Sequence, residues 1–298
     1  MLCITIPKGS LEDGTFNLFE KADLPIRRKS SRDYRLYIND PRIKEAMMLR
    51  PQEIPKYVEE GEFDLGITGL DWITETKSAV KEVADLQFSK QGWGKIKIVL
   101  ATSEDNPVSA VEEIAANARV VTEYPRMTKR FLKGHNKGRI SVRGSYGATE
   151  VKVPRLADYL VDVTETGESL RQNRKKIIAV IMESSTKLIA NIESWNDPEK
   201  RKAIKEIASL LQGVIRSRDK VLIKMNITKG NLQQLVGYLP ALRPPVVSSF
   251  YSCSYPSEEE WVMVETVVKK SALNIILPEI KGFGAKDILE LDISKMIP

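Results

Sequence analysis

Short apolar runs alternate with amphipathic segments over the first 195 residues, which is the arrangement typical of α/β proteins. The residues Pro51–Glu60 are predicted to form a helix, because a proline occupies the first position and Gly61 follows the end. The apolar runs predict strands at Leu2–Pro7, Arg35–Ile38, Phe63–Thr68, Ile96–Ala101, Arg119–Thr122, Tyr159–Val163 and Ile177–Met182.

The C-terminal third follows a different pattern. Asp197 and Pro198 are typical of a helix N-cap and first position, and apolar residues then recur at helical spacing, so residues 197–218 predict a connecting helix. The order of elements in the last 80 residues is βαββαβ, the ferredoxin-like plan. Its predicted elements are strand Lys220–Met225, helix Lys229–Leu239, strands Val246–Tyr251 and Glu260–Val268, helix Ser271–Lys281 and strand Asp287–Ile293. Such a unit carries no chemistry by itself, so its position indicates a ligand-sensing or assembly role.

The composition limits the number of domains and the classes of catalytic site that the chain can form. The chain has 298 residues, 42% of them hydrophobic, which predicts two or three globular domains. No run approaches the roughly 20 apolar residues of a membrane span, and the start MLCITIPKGS is not typical of an export signal, so a cytoplasmic location is expected. The lone cysteines Cys3 and Cys253 indicate no disulfide and no metal site. The one histidine, His135, lies in a loop-like run, which argues against a Ser-His-Asp triad and against most zinc enzymes.

The net charge of +6 is unevenly distributed. Residues 219–298 are neutral, whereas residues 126–155 hold nine Lys or Arg and one acid, Glu150. This cationic segment is compatible with a solvated face, a nucleic-acid surface or a pocket for small polyanions. Charge alone leaves these three open.

The most informative motif runs from Asp162 to Arg171, with the sequence DVTETGESLR. Two acids, Asp162 and Glu165, lie at the end of an apolar strand, and a Thr-Gly-Glu-Ser turn then begins a helix. Such a turn exposes backbone amides for a phosphate, while the carboxylates of Asp162 and Glu165 can hold ribose hydroxyls or water on Mg²⁺. A capped helix without a ligand explains the motif about equally well.

Two weaker motifs also follow predicted strands. Lys8 and Gly9 come after the first strand, and Asp71 comes after the DLGITG run, where open α/β folds commonly bind ligands. Each motif also has an explanation without a ligand. Lys8 and Gly9 can form an ordinary turn, and the DLGITG run can lead into a strand–helix turn with Asp71 near the helix cap.

These motifs, in this order, resemble the long form of ATP phosphoribosyltransferase, the family that catalyses the first step of histidine biosynthesis. The resemblance covers most of residues 1–195 and both ends of the C-terminal unit. It is carried by IPKGSLED, Leu49–Trp72, Thr122–Phe131, Asp162–Asn173, Ile181–Asn191, Leu239–Ser248 and Gly284–Pro298.

The resemblance implies an α/β fold with a two-lobe catalytic body like a type II periplasmic binding protein, plus a C-terminal ferredoxin-like (ACT-like) domain. Residues 1–90 and 184–196 would form lobe I and residues 91–183 lobe II. Residues 219–298 would form the regulatory domain. The implied reaction joins ATP to phosphoribosyl pyrophosphate (PRPP), giving N1-(5-phosphoribosyl)-ATP and pyrophosphate. Mg²⁺ is the implied cofactor, held mainly by substrate phosphates.

The resemblance also implies residue roles. Lys8, Asp162 and Glu165 would be catalytic. PRPP would be bound by Asp162, Glu165, Thr166, Gly167, Glu168 and Ser169. ATP would be bound by Lys8, Gly9, Arg50 and Asp71. Some cations of residues 126–155 would complete the pocket.

Regulation by histidine is implied as well. Members of the family are hexamers built from dimers, and histidine inhibits them by binding to the C-terminal domain. Asn226, Thr228, Ser248 and Asp287 are predicted to lie near that site. Val246 stands where the family commonly has threonine; it keeps the shape and lacks a hydroxyl that could bind the effector.

Three alternatives remain. A non-catalytic small-anion binding protein or ligand sensor would share the two lobes, but it would not explain the acid-then-TGES turn. A short-form-like catalytic subunit would need an accessory partner, against which the extra C-terminal residues argue. Nucleic-acid binding ranks below both, and no nucleic-acid or membrane partner is expected.

Overall fold

The computed structural model describes residues 1–30, 32–89, 92–249 and 260–297. Cys253 and the end of the predicted strand Val246–Tyr251 lie outside these ranges. The chain divides into two compact units, residues 1–212 and 213–298. Among the described residues, every helix is too short or too polar to cross a bilayer.

The first unit alternates strands and helices. Its strands are β1 (Leu2–Pro7), β2 (Ile26–Arg27), β3 (Arg35–Ile38), β4 (Ile43–Leu49), β5 (Leu65–Gly69), β6 (Lys81–Asp85), β7 (Phe88–Ser89), β8 (Gly92–Trp93), β9 (Ile96–Ser103), β10 (Arg119–Thr122), β11 (Ser141–Gly144), β12 (Tyr159–Thr164), β13 (Lys175–Ser184) and β14 (Thr186–Ala190). Its helices are α1 (Glu12–Lys21), α2 (Ile54–Glu59), α3 (Leu70–Thr76), α4 (Pro125–Gly134), α5 (Glu168–Gln172) and α6 (Ile192–Asn196), and α7 (Pro198–Ser217) runs across the boundary between the units.

Lobe I is built on a seven-stranded sheet with the order β2-β3-β4-β1-β5-β14-β6. Strands β4, β1 and β5 are parallel, so their carboxyl ends lie at one edge. Strand β5 is buried along its whole length, as its continuous apolar run predicts for a strand covered on both faces. Strand β14 returns from the far end of the unit to pair with β5.

Lobe II is built on a five-stranded sheet with the order β11-β10-β12-β9-β13. Its core is apolar and includes Ile98, Leu100, Val120 and Val161. Strand β12 ends at Thr164, so the Asp162–Ser169 segment begins in the last residues of this strand and continues into the turn that follows it. The predicted two-lobe α/β body is therefore confirmed. The predicted helix Pro51–Glu60 begins too early, since residues 51–53 form a turn in which Glu53 N donates to Arg50 O at 3.0 Å.

The second unit is a four-stranded antiparallel sheet with two helices. Its elements are β15 (Lys220–Thr228), α8 (Leu232–Tyr238), β16 (Val246–Ser249), β17 (Trp261–Lys269), α9 (Lys270–Gly282) and β18 (Lys286–Asp292). The strand order is β16-β17-β15-β18. Alternate residues of β15 and β17 are buried against the helices, which is why these strands alternate in sequence. The predicted ferredoxin-like domain is confirmed.

Candidate active-site cleft

A cleft of about 380 Å³ lies where the carboxyl ends of β1, β4 and β5 in lobe I meet β12 in lobe II. This is the edge at which open α/β sheets bind ligands. Its volume is within the usual range for small-molecule sites. Its lining includes every predicted substrate-binding residue except Gly167, namely Lys8, Gly9, Arg50, Asp71, Asp162, Glu165, Thr166, Glu168 and Ser169.

Lys8 and Gly9 follow β1 directly. The Lys8 amide donates to Leu49 O at 2.7 Å, which continues the pairing of β1 with β4. Lys8 Nζ donates to the Tyr34 hydroxyl at 2.7 Å and lies 4.3 Å from the centre of that ring. This hydrogen bond and the lysine charge lower the pKa of Tyr34. Gly9 has a φ of +89°, a conformation that favours glycine.

Arg50 follows β4 at the same edge and is exposed. Its charge also contributes to lowering the pKa of Tyr34. Lys8 and Arg50 therefore form one cationic side of the cleft, next to Tyr34. Strand β4 positions Arg50 because it is parallel to β1 and ends in register with it, Pro7 pairing with Leu49.

Asp71 is buried in the first turn of α3, at 2% exposure. Ser184 Oγ donates to Asp71 Oδ1 at 2.6 Å, and the Tyr124 hydroxyl donates to Asp71 Oδ2 at 2.8 Å. Burial raises the pKa of Asp71, against the effect of these two donors. Both oxygens therefore have partners within the protein, so Asp71 links α3 to Tyr124 of lobe II in addition to lining the cleft.

Tyr124 is the main residue that the sequence interpretation missed. It lines the cleft, is 4% exposed, and stacks on Trp72 with ring centres 4.5 Å apart. Burial and the neighbouring Asp71 raise the pKa of Tyr124 well above its usual value, so the hydroxyl stays a donor. The segment Thr122–Phe131 was identified as a motif, but nothing in the sequence indicates which lobe Tyr124 touches.

Asp162 lies on β12 and is partly buried. Its Oδ1 accepts from the Val163 amide at 2.7 Å. Burial, with smaller contributions from Glu150 and Glu123, raises the pKa of Asp162 to about 6. Glu150 and Glu123 line the same cleft and were not predicted. Asp162 is thus a carboxylate that other carboxylates surround, which is typical of functional sites.

The turn after β12 is organised by its own hydroxyls. The Gly167 amide donates to Thr164 Oγ1 at 2.9 Å, and the Glu168 amide donates to Thr166 Oγ1 at 3.4 Å. Gly167 has a φ of +81°, which permits the tight turn into α5. Glu168 pairs with Arg171 at 2.7 Å and is exposed. The predicted strand–turn–helix is present, with Thr166, Glu168 and Ser169 on the lining.

The charge of the lining is acidic rather than basic. It holds Lys8 and Arg50 as cations, against the six acids Asp71, Glu123, Glu150, Asp162, Glu165 and Glu168. The nine cations of residues 126–155 all lie in the described chain, and none belongs to this lining. Arg126 and Lys129 instead line a separate open pocket of about 540 Å³. No group of three or more His, Cys, Asp or Glu among the described residues could hold a metal ion.

The predicted effector residues share one face of the C-terminal sheet. Asn226 of β15 and Ser248 of β16 both pair with Met263 of β17, so they lie in one row on the two strands that flank β17. Thr228 is two residues beyond Asn226 and faces the same way. Asn226 Nδ2 donates to Asp287 Oδ2 at 2.9 Å. The buried residues of β15 alternate with these, so the face is the one opposite the helices.

The whole chain is similar to known proteins. The family model described as ATP phosphoribosyltransferase matches residues 50–213, and the model described as HisG, C-terminal domain, matches residues 217–295. A relative from Pelotomaculum thermopropionicum named ATP phosphoribosyltransferase is 42% identical over 100% of this chain and 99% of its own. One of that name from Chlorobium luteolum is 44% identical over 100% and 98%. Among solved structures, the ATP phosphoribosyl transferase (HisG:HisZ) complex from Thermotoga maritima contains a chain that is 25% identical. That match covers 72% of this chain and 99% of the solved one, with a TM-score of 0.61.

Proposed function

This chain belongs to the ATP phosphoribosyltransferase family, and we propose that its cleft binds ATP and PRPP side by side and joins adenine N1 to ribose C1′, in the cytoplasm, as the first step of histidine biosynthesis. One observation carries the assignment of the site. Lys8, Gly9 and Arg50 from lobe I and the 162–169 segment from lobe II line a single cleft.

PRPP binds to the lobe II side. Thr166 and Ser169 offer hydroxyl and amide donors for the 5′-phosphate at the turn. Gly167, whose own amide donates to Thr164 Oγ1, permits the tight backbone of this turn. Asp162 and Glu165 lie at the start of the same turn, where carboxylates accept hydrogen bonds from the ribose hydroxyls.

ATP binds to the lobe I side. Lys8 and Arg50 are the two cations of the lining and neutralise phosphate, either the ATP chain or the pyrophosphate that leaves PRPP. Lys8 reaches that position by exchanging its hydrogen bond with the Tyr34 hydroxyl for one with phosphate oxygen. Gly9 lets the backbone approach the ligand, because nothing lies within 4 Å of where its Cβ would be. Asp71 borders the nucleotide and holds Tyr124 in place beside it.

Catalysis needs no general base. Adenine N1 attacks as a neutral lone pair, while the bond from C1′ to pyrophosphate breaks and positive charge develops on the ribose. Lys8 stabilises the leaving pyrophosphate, and Asp162, ionised above a pKa of about 6, stabilises the ribose charge. Alignment of the two bound substrates supplies much of the remaining rate enhancement.

The acidic lining supports a requirement for Mg²⁺. Six acids face two polyanionic substrates, so unscreened phosphates would be repelled. Because no cluster of metal ligands occurs among the described residues, substrate phosphates would supply most of the ligands, and Asp162 or Glu165 would hold water on the ion. The ion neutralises phosphate charge when bound.

Feedback control acts through the second unit. Histidine binds on the sheet face that carries Asn226, Thr228, Ser248 and Asp287, and the protein forms a hexamer built from dimers. Asp287 suits the histidine amino group, and Ser248 suits its carboxylate. The C-terminal domain match at residues 217–295 supports a chain that works without an accessory partner of the kind present in the Thermotoga complex.

The test is direct. The purified protein is mixed with ATP, PRPP and Mg²⁺, and the ultraviolet absorbance of N1-(5-phosphoribosyl)-ATP is followed, with a reaction lacking PRPP as the control. Turnover that stops when histidine is added supports both halves of the proposal. A protein that binds both substrates without forming product would contradict the catalytic half.

A further inference from the structure

The two lobes are joined beside the cleft by an unusual helix cap. Helix α4 of lobe II begins at Pro125, and its N-cap residue Tyr124 supplies no side-chain cap. The carboxylate of Glu75, at the end of α3 in lobe I, accepts from the Arg126 amide and the Met127 amide, each at 2.8 Å. The first amides of a helix need acceptors, and here the acceptor comes from the other lobe.

Three further contacts join the same two helices. Arg126 Nη1 donates to Thr76 O at 2.9 Å, so the arginine side chain is hydrogen-bonded to the last residue of α3. Trp72 of α3 stacks on Tyr124, and the Tyr124 hydroxyl donates to Asp71. Together with the Glu75 cap, these contacts join both the start and the end of α3 to the residues around the start of α4. Such contacts oppose sliding or rotation of one helix against the other.

The position of this contact relates it to the reaction. Asp71, Trp72 and Tyr124 line the cleft, whereas Glu75 and Arg126 line the separate open pocket, so Glu75 lies behind the substrates and does not touch them. In the proposed function ATP is held by lobe I and the ribose by lobe II. The distance between adenine N1 and C1′ is then set by how the lobes are held together.

We propose that Glu75 is a positioning residue, which fixes the two half-sites at reacting distance by capping α4 of lobe II from α3 of lobe I. This inference rests on the proposed function for its two half-sites. A carboxylate suits the task because its two oxygens accept from two adjacent amides at once and its charge interacts favourably with the positive end of the α4 dipole.

The chain offers a matched control in Asp197. Asp197 Oδ1 accepts from the Glu199 amide at 2.8 Å and the Lys200 amide at 3.0 Å, so it also caps two amides, but at the start of α7 and without bridging the lobes. Glu75→Ala and Asp197→Ala each remove a carboxylate cap. They differ in whether the cap joins the two half-sites.

The experiment measures kcat, the KM for each substrate and the affinity for the product N1-(5-phosphoribosyl)-ATP, which must contact both halves at once. Glu75→Ala is expected to lower kcat by about 10- to 100-fold, since a displacement of about 1 Å can cost that much. Its KM for ATP and its KM for PRPP should stay within about threefold, because each half-site is intact, while product affinity falls by about tenfold or more. Glu75→Gln, which keeps one good acceptor, should restore part of kcat.

Asp197→Ala should lose thermal stability while keeping kcat and product affinity. If Glu75→Ala behaves in the same way, or if it weakens ATP, PRPP and product binding equally, Glu75 has only a stabilising role and the inference is wrong. A wild-type protein that forms no product would instead contradict the proposed function, so the two failures are distinguishable.

Discussion

Asp64 in lobe I and Asp162 in lobe II are both withdrawn from water, and they are held in opposite ways. Asp64 Oδ1 accepts from Ser194 Oγ at 2.6 Å and from Lys200 Nζ at 2.7 Å, and Asp64 Oδ2 accepts from the Cys3 amide at 2.7 Å. Burial opposes ionisation, but these donors outweigh it and lower the pKa of Asp64. Asp162 is buried beside other acids, and its pKa is raised to about 6.

The difference distinguishes a structural carboxylate, Asp64, from the proposed catalytic one, Asp162. Asp64 joins the start of β5 to β1 and to the helices that follow β14, so its charge is used to hold lobe I together. Asp162 makes folding less favourable at neutral pH, because its ionised form is desolvated and repelled. Such a cost is typical of a residue retained for chemistry.

The largest expected effect is on turnover. Asp162→Asn removes the charge that stabilises the ribose in the transition state, so kcat should fall by about 10²–10³-fold, or about 2.7–4 kcal/mol. Steady-state rates with saturating ATP and PRPP measure this. Asp64→Asn is the matched control and should keep kcat within about twofold. Near-native turnover in Asp162→Asn would remove Asp162 from the catalytic residues.

The second effect is on stability. Asp64→Asn should lower the free energy of unfolding by about 2–3 kcal/mol at pH 7.5, toward the low end for a broken ion pair because Lys200 keeps 39% of its side chain exposed. The folded pKa of Asp64 is depressed, so its contribution is present above the unfolded value near 3.9 and is lost as pH falls through the folded pKa. Urea unfolding at pH 7.5 and pH 3.5 should therefore show the gap between mutant and wild type closing. A gap of equal size at both pH values would argue against the ion pair.

The third effect has the opposite sign. The folded pKa of Asp162 is raised to about 6, above its unfolded value near 3.9, so the folded state loses stability as pH rises from about 4 to about 6, and the loss is complete above about 6. Asp162→Asn should then raise the free energy of unfolding by about 1–2 kcal/mol at pH 7.5, within the limit of about 3 kcal/mol that two pKa units imply. The gain should vanish below about pH 4, where the wild-type carboxyl is neutral in both the folded and the unfolded state. If Asp162→Asn is less stable than wild type at pH 7.5, this prediction is wrong. The ionised Asp162 carboxylate must then be stabilised in the folded protein by favourable interactions that outweigh its burial.

The sequence predicted the fold best where apolar runs have sharp ends. Strands β1, β3 and β10 were predicted with the bounds observed, because a polar residue follows the end of each of them. Strand β4 was not predicted, since Lys44 and Glu45 interrupt its apolar pattern; the sheet tolerates both because they are exposed. Pairing with β1 and β3, which no local pattern encodes, makes it a strand.

The sequence located the site through strand ends and could not determine its electrostatics. Lys8, Arg50 and Asp162 follow or end strands, so their convergence on one edge was predictable from the α/β plan. The hydrogen bond from the Tyr124 hydroxyl to Asp71 joins residues 53 positions apart in different lobes. No pattern of residue spacing in the sequence predicts it. Some of the cations of residues 126–155 were expected to complete the pocket, but the lining of the cleft contains Glu123 and Glu150 and none of these cations.

Asp287 extends the comparison to a third carboxylate, in the C-terminal unit, and gives the smallest expected effect. It is exposed, has a φ of +50° and is held by the amide of Asn226 rather than by a cation. If histidine binds on this sheet face, Asn226→Ala loses an amide–carboxylate hydrogen bond that orients Asp287. Because this pair is exposed and water competes for it, the loss should be about 0.5–1.5 kcal/mol. The histidine concentration for half-inhibition should rise about threefold to tenfold, with turnover unchanged when histidine is absent. Asn231→Ala, in the same unit but bonded to Phe283 O at 2.9 Å, is the control and should leave inhibition unaltered. Equal effects in both mutants would mean that the amide acts through domain stability and that the effector binds elsewhere.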